Sequence, residues 1–477
     1  MKPEQIDIQA VFAAHPYVRE ILRRFQAADH EAYLIGGVVR DGVAAAHGGA
    51  VPFPPADVDI ATSALPSEIR KLFDDRPIVG VGEEFGVLVI VAPEGNSYEV
   101  ATFRTEGEYD GRWPGKVDLV RDLESDVRRR DLTINGLAAT AEGTVVDLVG
   151  GIDDLMVRRV RAIGDPGERF REDHLRMLRA VRFVCQIDGE LDAATAAAVV
   201  ESAARIALVS QERVRDELFR TLRTARSSKG FRLLDELGLL GRILPEVSAT
   251  KGVPQPEEYH PEGDVFVHTL EALRMADRFI ADPIVKFAVL LHDIGKPAAL
   301  ERSGGVNMGG HCAIGARMAK TIGERLRLSK EEIRRLGYLV KNHMRVAALA
   351  EMGRGKQVRF VSADERPDAT DLRSRFPLFC DLLQVLVADS EASAHRASGW
   401  RPVLRETLRI AEHIDRVCSL KLARELIDGN VLIELGMLPG PQLGRLLLTL
   451  HDRILAGEIT SREAAIDAAR ASIAAEN

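Results

Sequence analysis

The chain has 477 residues, of which 46% are hydrophobic and 29% charged, and carries a formal net charge of −8. It exceeds the size at which one hydrophobic core keeps growing, so two to four domains are expected at about 100–200 residues each. No run of about 18 apolar residues and no basic-apolar-small leader is visible, so neither a helical membrane span nor a secretory signal is expected, and a cytoplasmic protein is. The negative balance supplies no global attraction to nucleic acid, so such a partner would have to be held by local basic surface. Four widely separated cysteines, Cys185, Cys312, Cys380 and Cys418, lack CxxC pairing; they are expected to be small core residues, not a zinc ribbon or a disulfide framework.

In chain order, an amphipathic helix ends near His30, "AYLIGG" reads as a buried strand stopped by glycine, and "ADVDIATSA" as a second strand. "FGVLVIVAPEGNSYEVATFR" reads as a hairpin turned at Pro93, Gly95 and Asn96. Residues 31–150 therefore form a mixed α/β head. Helical periodicity dominates from about residue 165, with "REDHLRMLRAVRFVCQI", "ERVRDELFRTLRTA" and "FRLLDELGLLGRIL" repeating apolar residues at three and four. The proline-containing stretch 251–266 reads as a linker or ordered loop before a further helical unit.

Side chains at i and i+2 of a strand share a face, so Asp57 and Asp59 are expected a few ångströms apart and in need of a cation. Hard oxygen donors suit Mg²⁺, and paired carboxylates hold ions in phosphoryl-transfer sites. Gly36 and Gly37 let backbone N–H groups approach a phosphate, while Arg40 and Asp41 on the next helical turn supply charge and orientation. Glu99 is a further carboxylate near this motif, although a plain strand-surface glutamate is the expectation.

"GGVVRD", "DVDIAT" and "RRRDLTINGLA" together resemble the class II tRNA nucleotidyltransferases and bacterial poly(A) polymerases of the polymerase β superfamily. The resemblance implies metal binding and catalysis by Asp57 and Asp59, and nucleotide binding by Gly36, Gly37, Arg40, Asp41, Arg130, Asp131 and Asn135. The segment "GVAAAHGGAVPFPPA" between the glycines and the DxD departs from the family's compact loop, which implies a changed loop and a retained site. Asp173 and Arg176, at i and i+3 of an expected helix, resemble the element that reads the incoming base in place of a template, with Arg179 and the helix carrying Glu212, Arg213 and Arg215 in support. Residues 103–120 resemble the flexible loop associated with adding the terminal A, which disfavours a CC-only enzyme.

His268, His292, Asp293 and Asp389 resemble the metal set of HD phosphohydrolases, for which imidazoles and carboxylates imply a divalent transition metal. Lys296 is placed to meet a phosphate, and His311 and His343 extend the set toward a second metal. The expected architecture is α+β: a nucleotidyltransferase head (1–150), a helical neck that selects the nucleotide (151–225), an HD-bearing helical body (226–400) and a helical tail that contacts tRNA (401–477). The implied activity is Mg²⁺-assisted addition of CCA, or its terminal part, to tRNA from CTP and ATP. A poly(A) polymerase and a phosphohydrolase with a nucleotide-binding head are the alternatives. The tail carries 10 Lys/Arg against 11 Asp/Glu, which favours the tRNA enzyme over a polymerase with a basic extension. Full CCA versus A-only addition and the oligomeric state are left open by these residues.

Overall fold

Seven short strands carry the N-terminal half of the molecule, a computed structural model that describes residues 5–48, 57–106, 109–110, 113–114, 117–255, 263–369, 371–393, 399–417 and 419–476. Most of the altered loop before the DxD, parts of the flexible loop, part of the 251–266 linker and Cys418 lie outside those residues. The chain divides into two compact units, Met1–Ile243 and Leu244–Asn477.

In the first unit, helix α1 (Pro16–Ala27) precedes strand β1 (Ala32–Ile35), helix α2 (Gly37–Ala46) and strand β2 (Asp59–Thr62). Strands β3 (Ile78–Gly82), β4 (Val87–Val91), β5 (Ser97–Thr102), β6 (Leu137–Ala139) and β7 (Val145–Asp147) complete one sheet in the order β7-β6-β1-β2-β5-β4-β3. The expected β4–β5 hairpin forms antiparallel, and β2 joins β5 in parallel. Alternation decides which residues point inward: Tyr98, Val100 and Thr102 are buried while Glu99 projects from the opposite face.

Three helices matter to the site: α3 (Leu123–Arg128), α4 (Arg176–Ile187) and α5 (Gln211–Leu222). Ala180, Phe183 and Val184 of α4 join the same core cluster as Leu34, Ile60 and Val100 of the sheet. Helix α4 is thus fixed against the sheet by shared apolar burial, which the hydrophobic effect makes the dominant favourable term.

The second unit is helical. It includes α6 (Val265–Ala276), α7 (Pro283–Leu291), α8 (Lys296–Arg302), α9 (His311–Arg325), α10 (Lys330–Asn342) and α11 (Pro377–Ala392). No helix among the described residues is long and apolar enough to cross a membrane.

Candidate functional site

A cleft of about 940 Å³ opens in the first unit, lined by nine arginines and seven carboxylates. That excess of paired charge identifies it as a polar site for an anion, not an apolar ligand pocket. On one wall, β2 begins at Asp59, so the Asp-Val-Asp motif is not wholly inside a strand as expected: Asp57 is exposed just ahead of it. The parallel register sets Asp59 opposite Glu99, and both line the cleft. Enclosure raises the Asp59 carboxyl above its ordinary value, Arg130 offsets this, and the Asp57 charge adds to it. Enclosure likewise raises Glu99, with the Asp59 charge contributing. Carboxylates that penalise one another's ionisation are a donor set suited to a hard divalent cation.

Helix α2 starts beside them. Gly36 has φ of +73°, a left-handed conformation that a side chain would strain, and it turns the chain from β1 into the helix. The first N–H groups of a helix have no intrahelical acceptor and favour an anion; Gly36 and Gly37 both line the cleft. Arg40 hydrogen-bonds Asp41 at 2.8 Å and donates to Asn135 Oδ1 at 2.7 Å. Asp41 is buried and does not line the cleft, so the structure makes it an anchor for Arg40.

The run Arg129-Arg130-Asp131 leaves α3 with its charges pre-arranged. Asp126 is buried and holds Arg129 at 2.7 Å and Arg130 at 3.0 Å. Burial opposes its ionisation, but those two guanidiniums bring it below its ordinary value. Asp131 accepts from Arg179 at 2.6 Å and from Asn135 Nδ2 at 3.2 Å. Burial alone would raise Asp131; the Arg179 charge and hydrogen bond, with Arg176 and Asn135, hold it well below the carboxylate range.

The expected continuous helix through Asp173 and Arg176 is broken. Helix Pro166–Glu172 ends with Asp173 in extended geometry (φ −144°, ψ 107°), and α4 begins at Arg176. The Asp173 side chain accepts from Leu175 N at 3.1 Å, a local bond that competes with helix continuation. Arg213 of α5 then ties Asp173 at 2.6 Å, while Arg176 is held by Glu172 at 2.6 Å and by the Arg129 carbonyl at 3.1 Å. Both residues still face the one cleft.

Phe183 is a feature sequence reading missed. Arg40, Arg179 and Arg182 lie over its ring at 5.0, 5.7 and 4.0 Å. Asp126, Arg182 and Glu217 were missed as well; for Asp126 the signal was its place one helical turn before the arginine run, and Arg182 pairs with Glu217 at 2.7 Å across from α4 to α5.

In the second unit, six helical or helix-end residues converge. His292 and His343 follow the ends of α7 and α10, His311 starts α9, and His268 and Asp389 project from α6 and α11. His268 Nε2 is 3.0 Å from Asp389 Oδ1, and His292 Nε2 is 3.2 Å from Asp293 Oδ2. Lys296 reaches the same Asp293 oxygen at 2.5 Å. The Nδ1 atoms of His292, His311 and His343 contact the carbonyls of Val289, Met308 and Val340 at 2.6, 2.9 and 2.8 Å. A carbonyl only accepts, so each Nδ1 carries a proton and each ring turns its Nε2 inward.

Those Nε2 atoms crowd together. His292 Nε2 is buried without a hydrogen-bond partner among the described residues, and His311 and His343 set their Nε2 atoms 3.4 Å apart. Such an arrangement needs a positive charge at its centre. Burial lowers the His311 imidazole, but Asp293 and Cys312 lift it to about 10, a sign of the same demand. His268, His292 and Asp389 lie mutually within 4.8 Å, and an imidazole-carboxylate set of this kind fits a divalent transition metal. One cysteine expectation is corrected: Cys185 and Cys380 are buried, but Cys312 is only half-buried, with Sγ 3.5 Å from His311 Nε2.

Comparison with known proteins finds three matching stretches. Residues 32–161 match the family described as "Poly A polymerase head domain", 190–250 that described as "Probable RNA and SrmB- binding site of polymerase A", and 265–374 the "HD domain". A CCA-adding enzyme of Lacticaseibacillus paracasei is 45% identical over 203 residues, 42% of this chain and 48% of that protein. By sequence similarity, then, the chain carries a poly(A) polymerase-type head, the adjoining RNA-binding segment and an HD domain, in that order. The chain spans about half the length of the curated relatives it matches. Two solved structures share the fold over nearly the whole chain. The Bacillus stearothermophilus CCA-adding enzyme in complex with CTP has a TM-score of 0.64 at 24% identity, covering 97% of this chain and 98% of its own. The Thermotoga maritima CCA-adding enzyme complexed with tRNA_CCA has a TM-score of 0.59 at 17% identity, covering 99% and 100%.

Proposed function

We propose that the chain adds CCA, or its terminal part, to the 3′ end of tRNA from CTP and ATP, with release of pyrophosphate. The observation that carries this reading is a single cleft holding Asp59 and Glu99 on one wall and Asp173 and Arg176 on another. A transfer carboxylate set and a base reader are useful together only if one nucleotide reaches both.

Asp57 and Asp59, with Glu99 beside them, would hold Mg²⁺, which when bound supplies charge neutralisation at the attacking and leaving oxygens. Gly36, Gly37 and the α2 N-terminus receive phosphate oxygens, and Arg40 and Arg130 neutralise them. Asp131 and Asn135 position the ribose. Asp173 offers an acceptor and Arg176 a donor fork to the base edge, and their fixed partners let the protein replace a template. Arg179, locked to Asp131, links the reader to the phosphate side. Most of the acceleration in such a transfer comes from positioning and charge stabilisation, which this network supplies.

In this reading residues 1–150 are the transferase head, 151–225 the selecting neck, 226–400 the HD-bearing body and 401–477 a tail that contacts tRNA. Solved CCA-adding enzymes of the same fold are complexes with CTP, ATP and tRNA_CCA, which supports nucleotides and tRNA as ligands here. tRNA maturation suits a cytoplasmic protein. The convergence of the His268, His292 and Asp389 donor atoms favours a second reading for the other unit, a metal centre formed by His268, His292, Asp293 and Asp389, where a bound metal supplies Lewis acidity and Lys296 meets a phosphate.

Separate substitutions test the assignment. Asp59→Ala should lower nucleotide addition by at least about 100- to 1,000-fold, and His292→Ala should leave it intact. The reverse pattern would move the activity to the HD cluster.

A further inference from the structure

Cys312 has no role in either reading above, yet its sulfur lies at the edge of the histidine cluster. We propose that Cys312 is a thiolate ligand of a second metal position in the helical unit, shared with His311, His343 and one oxygen of Asp293, and that this position takes a thiophilic transition metal. The inference rests on the reading of the cluster as a metal centre.

Four separations carry it. Cys312 Sγ is 3.5 Å from His311 Nε2, and that nitrogen is 3.4 Å from His343 Nε2. Asp293 Oδ1 is 3.4 Å from His311 Nε2 and 3.6 Å from His343 Nε2. The edge of a tetrahedron is about 1.6 times the bond from its centre, so metal–nitrogen and metal–oxygen bonds of about 2.0–2.2 Å and a metal–sulfur bond of about 2.3 Å require edges of about 3.3–3.7 Å. The observed separations fall in that range before any side chain moves. His311, Cys312 and His343 also offer donor atoms mutually within 4.8 Å.

The rings are already turned for ligation. His311 and His343 each commit Nδ1 to a backbone carbonyl, which leaves Nε2 for a metal and fixes the ring. Gly310, with φ of +80°, starts α9 so that His311 and Cys312 occupy its first turn, where their side chains converge. A neighbouring cavity of about 510 Å³, lined by Asp293, His311 and His343, gives an ion a way in. Asp293 divides its oxygens, with Oδ2 toward His292 and Lys296 and Oδ1 toward this second position. The consequence is two unlike positions. The set of His268, His292 and Asp389 is nitrogen and oxygen only, whereas sulfur shifts the second toward softer ions such as Zn²⁺ or Co²⁺ and away from Mg²⁺.

Titration of the full-length protein with Co²⁺, followed by absorption, tests this. The expected result is a near-ultraviolet thiolate-to-cobalt charge-transfer band that is lost in Cys312→Ser and in Cys312→Ala. Affinity at that position should weaken by about tenfold or more, while nucleotide addition by the head persists as a check on folding. Cobalt binding without the band, or a band that survives both substitutions, would overturn the proposal and leave the metal centre standing. Absence of any cobalt binding at the cluster would overturn both.

Discussion

Asp59 and Glu99 show how a site is made from residues distant in sequence. The parallel register of β2 and β5 places the two carboxylates side by side, and the Asp59 charge adds to the enclosure that raises Glu99 until a cation joins them. Glu99→Gln keeps the shape and removes that charge, so addition should fall by about 10- to 100-fold with a higher Mg²⁺ requirement and an unchanged unfolding midpoint. Steady-state rates across a Mg²⁺ series check this. Asp131 behaves differently because its partner is protein. Its folded pKa is depressed below the ordinary value of about 3.9, so the Asp131–Arg179 pair stabilises fully above that value and loses its contribution as pH falls toward the folded pKa. Asp131→Asn should cost about 3 kcal/mol at pH 7, the low end for breaking a buried pair because Arg179 is partly exposed. Urea midpoints at pH 7 and pH 3 should show that difference shrink with acid.

At the scale of elements, the neck is a set of helices held by crossed ion pairs. The Asp173–Arg213 bond fixes the break before α4, and Arg182–Glu217 ties α4 to α5. Arg213→Ala should therefore loosen base selection more than chemistry: the ratio of kcat/KM for CTP over UTP is expected to drop by about tenfold, with kcat for CTP little changed. The break itself was hidden in the sequence because apolar residues before and after Asp173 keep helical spacing, and a side-chain bond to Leu175 N leaves no mark on that pattern. Strand alternation, by contrast, made the β4–β5 hairpin legible, and the GG, DxD and RRD motifs pointed to one cleft. Partners distant along the chain were beyond reach: the Glu99 register and the placing of Arg40 over Phe183 depend on contacts between elements, not on local spacing. Cys312 was misjudged for a similar reason, since its neighbour His343 is 31 positions away.

For the molecule as a whole, the net charge of −8 means that a polyanion is met by local arginine clusters such as the one in the cleft. The two compact units each contain a chemically distinct centre, one of carboxylates and arginines, the other of histidines and carboxylates. His292→Ala should accordingly reduce bound transition metal, measured by elemental analysis, without a matching loss of nucleotide addition. The most direct measurement of the central claim is incubation of the purified protein with Mg²⁺ and tRNA transcripts ending at the discriminator base, at C or at CC, with CTP and ATP supplied singly and together and products resolved by length. Growth that stops at CCA is the predicted result, and extension of the CC-ended transcript alone would narrow the activity to the terminal A. Long adenylate tails on unrelated RNA, or no incorporation on any transcript, would contradict the account.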